Sequence, residues 1–308
     1  MNANFVIMGL PASGKTTFLA ALWHIIEADE TACRLKLGRY EGDVTYLNAI
    51  AQAWRTFNKV PRTSQFGDVD IAIHLIDTET RVNGRAFFPD LAGETFDAQV
   101  ESRRCRRLFI KNVEADDGVL LFISVDSKQD SLSIVELNSM MPPGVEDVIV
   151  TTAGSGAPAS GDGSGNGPPP AAGQKPAAPG LDEWEPKKVP GQVRIVQLLS
   201  DLFRPPFAPR RRRLAVILSA WDLVKSTQSS PEQWLAANMP LVAQFLRTNG
   251  EFFTSRVYGV SAQGVSLDDS EAVDLAAKLI PSHRISIVGP TESNHDITAP
   301  LVWLMSVP

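Results

Sequence analysis

The segment Gly9-Leu10-Pro11-Ala12-Ser13-Gly14-Lys15-Thr16 constrains this chain more than any other. It has the complete G-x-x-x-x-G-K-[ST] spacing. A short apolar run (5–9) precedes it, and Phe18, Leu19, Leu22, Trp23 and Ile26 follow at helical spacing. The pattern is therefore strand, glycine loop, helix. The glycines let the backbone wrap an anion with successive N–H groups pointing inward, and the helix start adds its partial positive charge. Lys15 is placed to reach β- and γ-phosphates, and the Thr16 hydroxyl to ligate Mg2+. The expected phosphate-binding set is Gly9, Pro11, Ala12, Ser13, Gly14, Lys15, Thr16 and Thr17. A complete motif in its proper context leaves little room for a plain connecting turn.

The rest of the chain can support a domain around that loop. Of 308 residues, 44% are hydrophobic and 21% charged, enough for a sizeable core. Lys and Arg number 29 against 35 Asp and Glu, and the net charge of −6 argues against holding nucleic acid through the overall field. No apolar run nears the roughly 18 residues of a membrane span. The N-terminus lacks the positive stretch and apolar core of a secretory leader. Cys33 and Cys105, the only two cysteines, cannot make a disulfide framework and suit a reducing cytoplasm. His24, His74, His283 and His295 lie far apart, without metal-ligand spacing. The expectation is a soluble cytoplasmic protein with no integral membrane segment and no nucleic-acid partner.

Strand and helix patterns alternate beyond the first helix (16–28). Residues 69–76 and 85–88 read as strands, joined by Asn83-Gly84, the pair preferred in a two-residue hairpin turn. Residues 119–125 are apolar but for Ser124, as in a strand buried on both faces. Helices are expected at 193–203, 231–247 and, last, 270–279; strands are expected at 214–219 and, last, 257–260. This predicts a three-layer α/β fold with a mostly parallel sheet and one antiparallel hairpin strand. Residues 153–180 are Gly, Pro, Ala or Ser apart from Asp162, Asn166, Gln174 and Lys175. With no apolar side chains to offset ordering entropy, they predict a disordered insertion reaching about residue 190. The flanking parts complete one another, so the expectation is a single domain over 1–308, in which a long surface insertion costs little.

Three further motifs stand at strand ends: Asp90-Leu91-Ala92-Gly93-Glu94, Ser219-Ala220-Trp221-Asp222 and Ser261-Ala262-Gln263. In this order, and with the hairpin before the first of them, they resemble the motifs of the Ras-like, translation-factor-related P-loop GTPases. The resemblance covers residues 5 to about 265. It implies that Asp90 holds Mg2+ through water and that the Gly93 N–H senses the γ-phosphate. Asp222 takes the place of the carboxylate that accepts from guanine N1 and N2, and a backbone N–H of Ser261-Ala262-Gln263 meets guanine O6. The stacking Lys of the family is Ala220 here and its Asn is Ser219, so Trp221 is expected to carry part of the base contact. The plainer alternatives are a capping or loop carboxylate for Asp222 and a packing aromatic for Trp221. Thr63 stands just before the hairpin, where the family's Mg2+-binding switch threonine lies. Thr56 competes with it, and a simple loop threonine fits either position.

Glu94 occupies the place of the family's water-orienting Gln. Its carboxylate could accept from that water but adds negative charge beside the γ-phosphate, which implies slow hydrolysis unless a partner contributes an arginine. Glu94, Lys15 and Gly93 form the expected catalytic set, with Thr16, Thr63 and Asp90 around the metal. Pro11 replaces a frequent loop glycine. Two arginine clusters, Arg103/Arg104/Arg106/Arg107 on the helix after the switch and Arg210 to Arg213 before a strand, read as a solvated helix face and a solubilising flank; an arginine finger or docking face is the alternative. More narrowly, the D-L-A-G-E and S-A-W-D forms and the tail from His295 to Leu304 resemble the bacterial double-GTPase proteins. That implies a protein effector or second GTPase as partner, in a bacterial conflict or defence system. The reading is a GTP/GDP- and Mg2+-binding switch. An ATPase or P-loop kinase, supported by the missing stacking Lys, stands beside it. So does a nucleotide-binding interaction module without useful turnover.

Overall fold

The computed structural model describes residues 2–28, 30–59, 70–89, 94–114, 118–126, 189–227, 229–290 and 293–306. The N-terminal part runs β1 (Asn2–Gly9), α1 (Lys15–Ala28), β2 (Leu35–Glu41), α2 (Val44–Arg55), β3 (Ile71–Asp77), β4 (Asn83–Phe88), α3 (Glu94–Ser102), α4 (Arg107–Glu114) and β5 (Gly118–Ser124). The C-terminal part runs α5 (Gly191–Asp201), β6 (Arg212–Ser219), α6 (Pro231–Asn238), α7 (Pro240–Thr248), β7 (Phe253–Ser261), α8 (Ser270–Ala276), β8 (Ser286–Val288), β9 (Ser293–Asn294) and α9 (Ala299–Met305). The described residues of 1–130 and 189–308 belong to one packed unit. The insertion expected at about 153–190 lies outside the described residues except for Val189 and Pro190.

The fold is α/β, as expected. The described strands form one sheet in the order β2-β3-β4-β1-β5-β6-β7-β8-β9. Its middle, β4-β1-β5-β6-β7, is parallel, and antiparallel strands extend it at both edges. Period-two alternation splits the core between the sheet's faces. Phe5 and Ile7 of β1 face α1, α2 and α9 through Phe18, Leu22, Ile50 and Leu301. Val6 and Met8 face α3 to α7 through Phe96, Phe109, Leu198 and Val242. Central strands covered on both sides must be apolar throughout, and β5 is buried from Gly118 to Ile123. Parallel register then brings the carboxyl ends of β1, β5, β6 and β7 to one edge, with Gly9 opposite Phe122, and Ser219 opposite both Ser124 and Val260. That edge is where open α/β sheets place their ligands. No helix among the described residues is long and apolar enough to cross a membrane.

Several expectations need correction. Asn83 and Gly84 are not the hairpin turn; they are strand residues of β4 paired with Ile76 and Leu75. The turn is made at Thr78 to Arg81 by the Asp77 carboxylate, which accepts from the N–H groups of Glu79 at 2.9 Å and Thr80 at 3.3 Å. Gly84 instead lies under Met305, whose sulfur would sit 2.6 Å from an added Cβ. The helix expected over 231–247 breaks at Met239, because Pro240 has no N–H to continue the ladder. The strand at 253–261 and the helix at 270–276 are not the last of their kind, since β8, β9 and α9 follow. Residues 35–55, to which patterning assigned nothing, hold β2 and α2. Asp43 caps α2 by accepting from Thr45 N–H at 2.8 Å, and Tyr46, Leu47, Ile50 and Trp54 form its buried stripe.

The arginines also differ from expectation. Arg103 and Arg106 lie in the break between α3 and α4, not on a helix, and pair with Asp201 and Asp70, each at 2.8 Å. Arg212 is 2% exposed and donates to the Leu202 carbonyl at 2.9 Å, so it fastens β6 inside the fold and serves no solubilising flank. Arg213 donates to the Trp303 carbonyl at 2.9 Å and lies over that ring.

Candidate functional site

Gly9 to Gly14 turn the chain from the sheet edge into α1, whose first turn carries Lys15, Thr16 and Thr17. The loop is made by left-handed backbone at Ala12 (φ 58) and Gly14 (φ 88). At Gly14 a side chain is also excluded by space, because a Cβ would meet the Ser219 hydroxyl at 2.7 Å. That hydroxyl donates to the Ser13 carbonyl at 2.8 Å and so holds the loop against the end of β6. Lys15 is 3% exposed. Its ammonium donates to the carbonyls of Gly9 and Leu10, both at 2.8 Å, and to Ser13 Oγ at 3.2 Å. The cation is thus held at the mouth of the loop, where an anion would meet it together with the first N–H groups of α1.

Beside the loop lies a cavity of about 250 Å³. Its walls include Ala12, Gly14 and Thr17 from the loop and α1, Ser219, Ala220 and Asp222 from the end of β6, and Ala262 and Gln263 after β7. The phosphate loop and two of the three further motifs, those ending in Asp222 and Gln263, therefore meet around one space. Asp222 accepts from Ser261 Oγ at 2.5 Å, which fixes the orientation of its carboxylate. Ala220 takes the left-handed conformation (φ 56) that turns the chain between Ser219 and Asp222. Trp221 does not join this wall. It is 3% exposed, packs edge-on against Trp234 with ring centroids 6.4 Å apart, and belongs to the core. The packing reading of Trp221 is the one its position supports. Leu223 and Val265 belong to the cavity's apolar lining, together with Phe18, Phe122, Ile217 and Val260. Leu223 is 48% exposed, and sequence patterning did not single it out, because its exposure at the cavity is set by the fold and by no motif.

Thr63, Asp90 and Gly93 lie outside the described residues, and Glu94 is described only as the first backbone position of α3. Among the described residues, no group of three His, Cys, Asp or Glu side chains could hold a metal. Thr16, half-buried in the first turn of α1, fits Mg2+, which takes few protein ligands and keeps waters and phosphate oxygens for the rest. Neither cysteine offers a thiolate: burial pushes Cys33 up to about 12 and Cys105 up to about 11.

A model of the family described as Double-GTPase 1 (DO-GTPase1) matches residues 6–304. No curated protein matches the chain. Among solved structures, it is similar to the S. cerevisiae Ski7 GTPase-like domain bound to GTP, with 11% identity, a TM-score of 0.39, and coverage of 86% of this chain and 44% of that one. It is also similar to that domain bound to GDP and inorganic phosphate (12% identity, TM-score 0.35, 85% and 43% covered). The bacterial selenocysteine-specific elongation factor EF-Sec matches at 11% identity and a TM-score of 0.32, with 89% and 28% covered. The chain spans less than half the length of each of these.

Proposed function

The chain belongs to the Double-GTPase 1 family, and from that premise we propose that it is a GTP-binding switch that hydrolyses GTP slowly with Mg2+. The observation that carries the proposal is the meeting of the phosphate loop, Asp222 and the Ser261-Ala262-Gln263 loop around one cavity. Guanine presents N1–H and N2–H donors to a carboxylate held as Asp222 is, whereas adenine presents an N1 acceptor and leaves it unpaired. Leu223, in place of a stacking Lys, gives the base an apolar wall.

In this reading Lys15 and the loop N–H groups bind the β- and γ-phosphates, and Thr16 holds Mg2+ with Asp90 and, through the switch, Thr63. Bound there, Mg2+ would neutralise charge on the phosphate oxygens. The Gly93 N–H senses the γ-phosphate, and Glu94 accepts from the attacking water. A carboxylate at that place adds charge to an anionic centre, so turnover is slow until a partner supplies a cation. The resemblance further supports a cytoplasmic bacterial protein, a single domain bearing the 153–190 insertion, and a second GTPase as partner in a conflict or defence system.

Competition between GTP and ATP with Mg2+ present, followed by single-turnover hydrolysis, tests the proposal. Preferential GTP binding with slow cleavage supports it. Equal affinities favour an ATPase, which Ala220 at the stacking position would suit, and GTP binding with no cleavage favours an inert module.

A further inference from the structure

The loop that would read guanine O6 is held by residues outside every nucleotide motif. Trp54, next to last in α2, is fully buried and donates its indole N–H to the Ala262 carbonyl at 2.9 Å. Gln263 returns a bond from Nε2 to the Trp54 carbonyl at 3.2 Å. The Arg284 guanidinium lies between two rings, 4.6 Å from the Trp54 centroid and 4.2 Å from that of Phe57, and donates to the Arg55 carbonyl at 3.5 Å. Phe57 reaches it from a left-handed backbone (φ 57), a conformation unfavourable to any residue with a Cβ. At the loop's far end, Gly264 (φ 88) has the Arg284 carbonyl 2.5 Å from where a Cβ would stand. Both sides of the 262–264 loop are therefore fitted to one clasp.

A peptide unit is planar, so a donor on the Ala262 carbonyl also sets the direction of the Gln263 N–H, which points the opposite way. Guanine offers O6 as an acceptor to such an N–H, while adenine offers the N6 amine, itself a donor. We infer that Trp54 is a positioning residue for base selection, acting through the Ala262 peptide and steadied by Arg284 and Phe57. The inference rests on the guanine reading of the cavity given above.

The experiment is the affinity of full-length wild type and Trp54→Phe for GTP, ATP and ITP. Phenylalanine keeps a ring under Arg284 and removes only the indole N–H and some volume. Ratios within one preparation cancel any loss of folded protein, so a merely structural role leaves them unchanged. GTP-over-ATP preference should fall about tenfold, the worth of one hydrogen bond. GTP over ITP should stay constant, because inosine keeps O6 and lacks only the amine that Asp222 reads. A GTP-to-ATP ratio equal to wild type overturns the inference while leaving the guanine reading intact. A wild type that does not prefer GTP removes the reading itself. If Trp54→Phe does not fold, Phe57→Gly, which suits the left-handed backbone and removes one ring from the clasp, should lower the same ratio; an unchanged ratio there overturns the inference equally.

Discussion

The Ser219 hydroxyl donates to the Ser13 carbonyl at 2.8 Å, and so ties the first residue of the base-reading motif to the middle of the phosphate loop. The same hydroxyl fills the space behind Gly14, where no side chain fits. In the proposed reading, phosphate and base recognition therefore share one support. Ser219→Ala should weaken GTP, GDP and ATP by a similar factor, about three- to tenfold, as expected for one lost hydrogen bond. Isothermal titration with the three nucleotides checks this; a loss confined to one of them would contradict the shared support.

Lys15→Ala removes the cation at the loop mouth together with its bonds to the Gly9 and Leu10 carbonyls. In the proposed reading the same ammonium donates to β- and γ-phosphate oxygens, and losing those charge-assisted bonds should lower triphosphate affinity about a hundredfold or more. Far-UV circular dichroism should be unchanged, because the ammonium packs against the loop and not within the apolar core. Binding within a few-fold of wild type would remove the phosphate-loop assignment.

Gly259 in β7 lies beneath Trp221, whose ring atoms would stand 2.4 to 2.6 Å from an added Cβ. The ring is 3% exposed and packs edge-on against Trp234, so a Cβ beneath it must shift buried atoms. Gly259→Ala should therefore cost about 1–3 kcal/mol of stability, read from the urea midpoint. Displacing Trp221 also moves its neighbour Asp222, so preference for GTP over ATP should fall with it. Unchanged stability would mean that the ring has room the structure does not show.

The Arg34 guanidinium grips Asp77 through two bonds, at 2.8 and 3.0 Å, and holds its carboxyl well below the usual carboxylate range. The folded value lies below the unfolded one, so this clasp contributes fully above the ordinary value of 3.8 and is lost as pH falls below it. Asp77→Asn should lower stability at neutral pH by about 1–3 kcal/mol. It should also flatten the fall of melting temperature below about pH 4. Parallel curves for wild type and variant would place the acid sensitivity elsewhere.

How much of this was legible depends on whether the cause is local. The phosphate loop could be read because its glycines, Lys15 and Thr16 act within eight consecutive residues. β5 could be read because burial on both faces demands an unbroken apolar run. The hairpin turn was misread because Asn83-Gly84 is a local preference, while the real determinants are the Asp77 carboxylate and Met305, a residue remote in sequence. The choice between base contact and packing for Trp221 was not legible for the same reason: its burial depends on the bare backbone of Gly259 on a neighbouring strand. The break at Pro240 and the Asp43 cap of α2 were local signals, available by ordinary rules. The role of Trp54 was not, because its partner Ala262 meets it only in the folded chain.

The central claim is that Asp222 reads guanine. Its most direct test is competitive binding of GTP, XTP and ATP to wild type and Asp222→Asn with Mg2+ present. The amide of the variant places an N–H₂ donor where a carboxylate oxygen accepted, which suits the C2 carbonyl of xanthine and opposes the guanine amine. Wild type should prefer GTP, and the variant should lose GTP affinity and gain XTP relative to it. Equal binding of GTP and ATP by wild type, unchanged by the substitution, would contradict the claim.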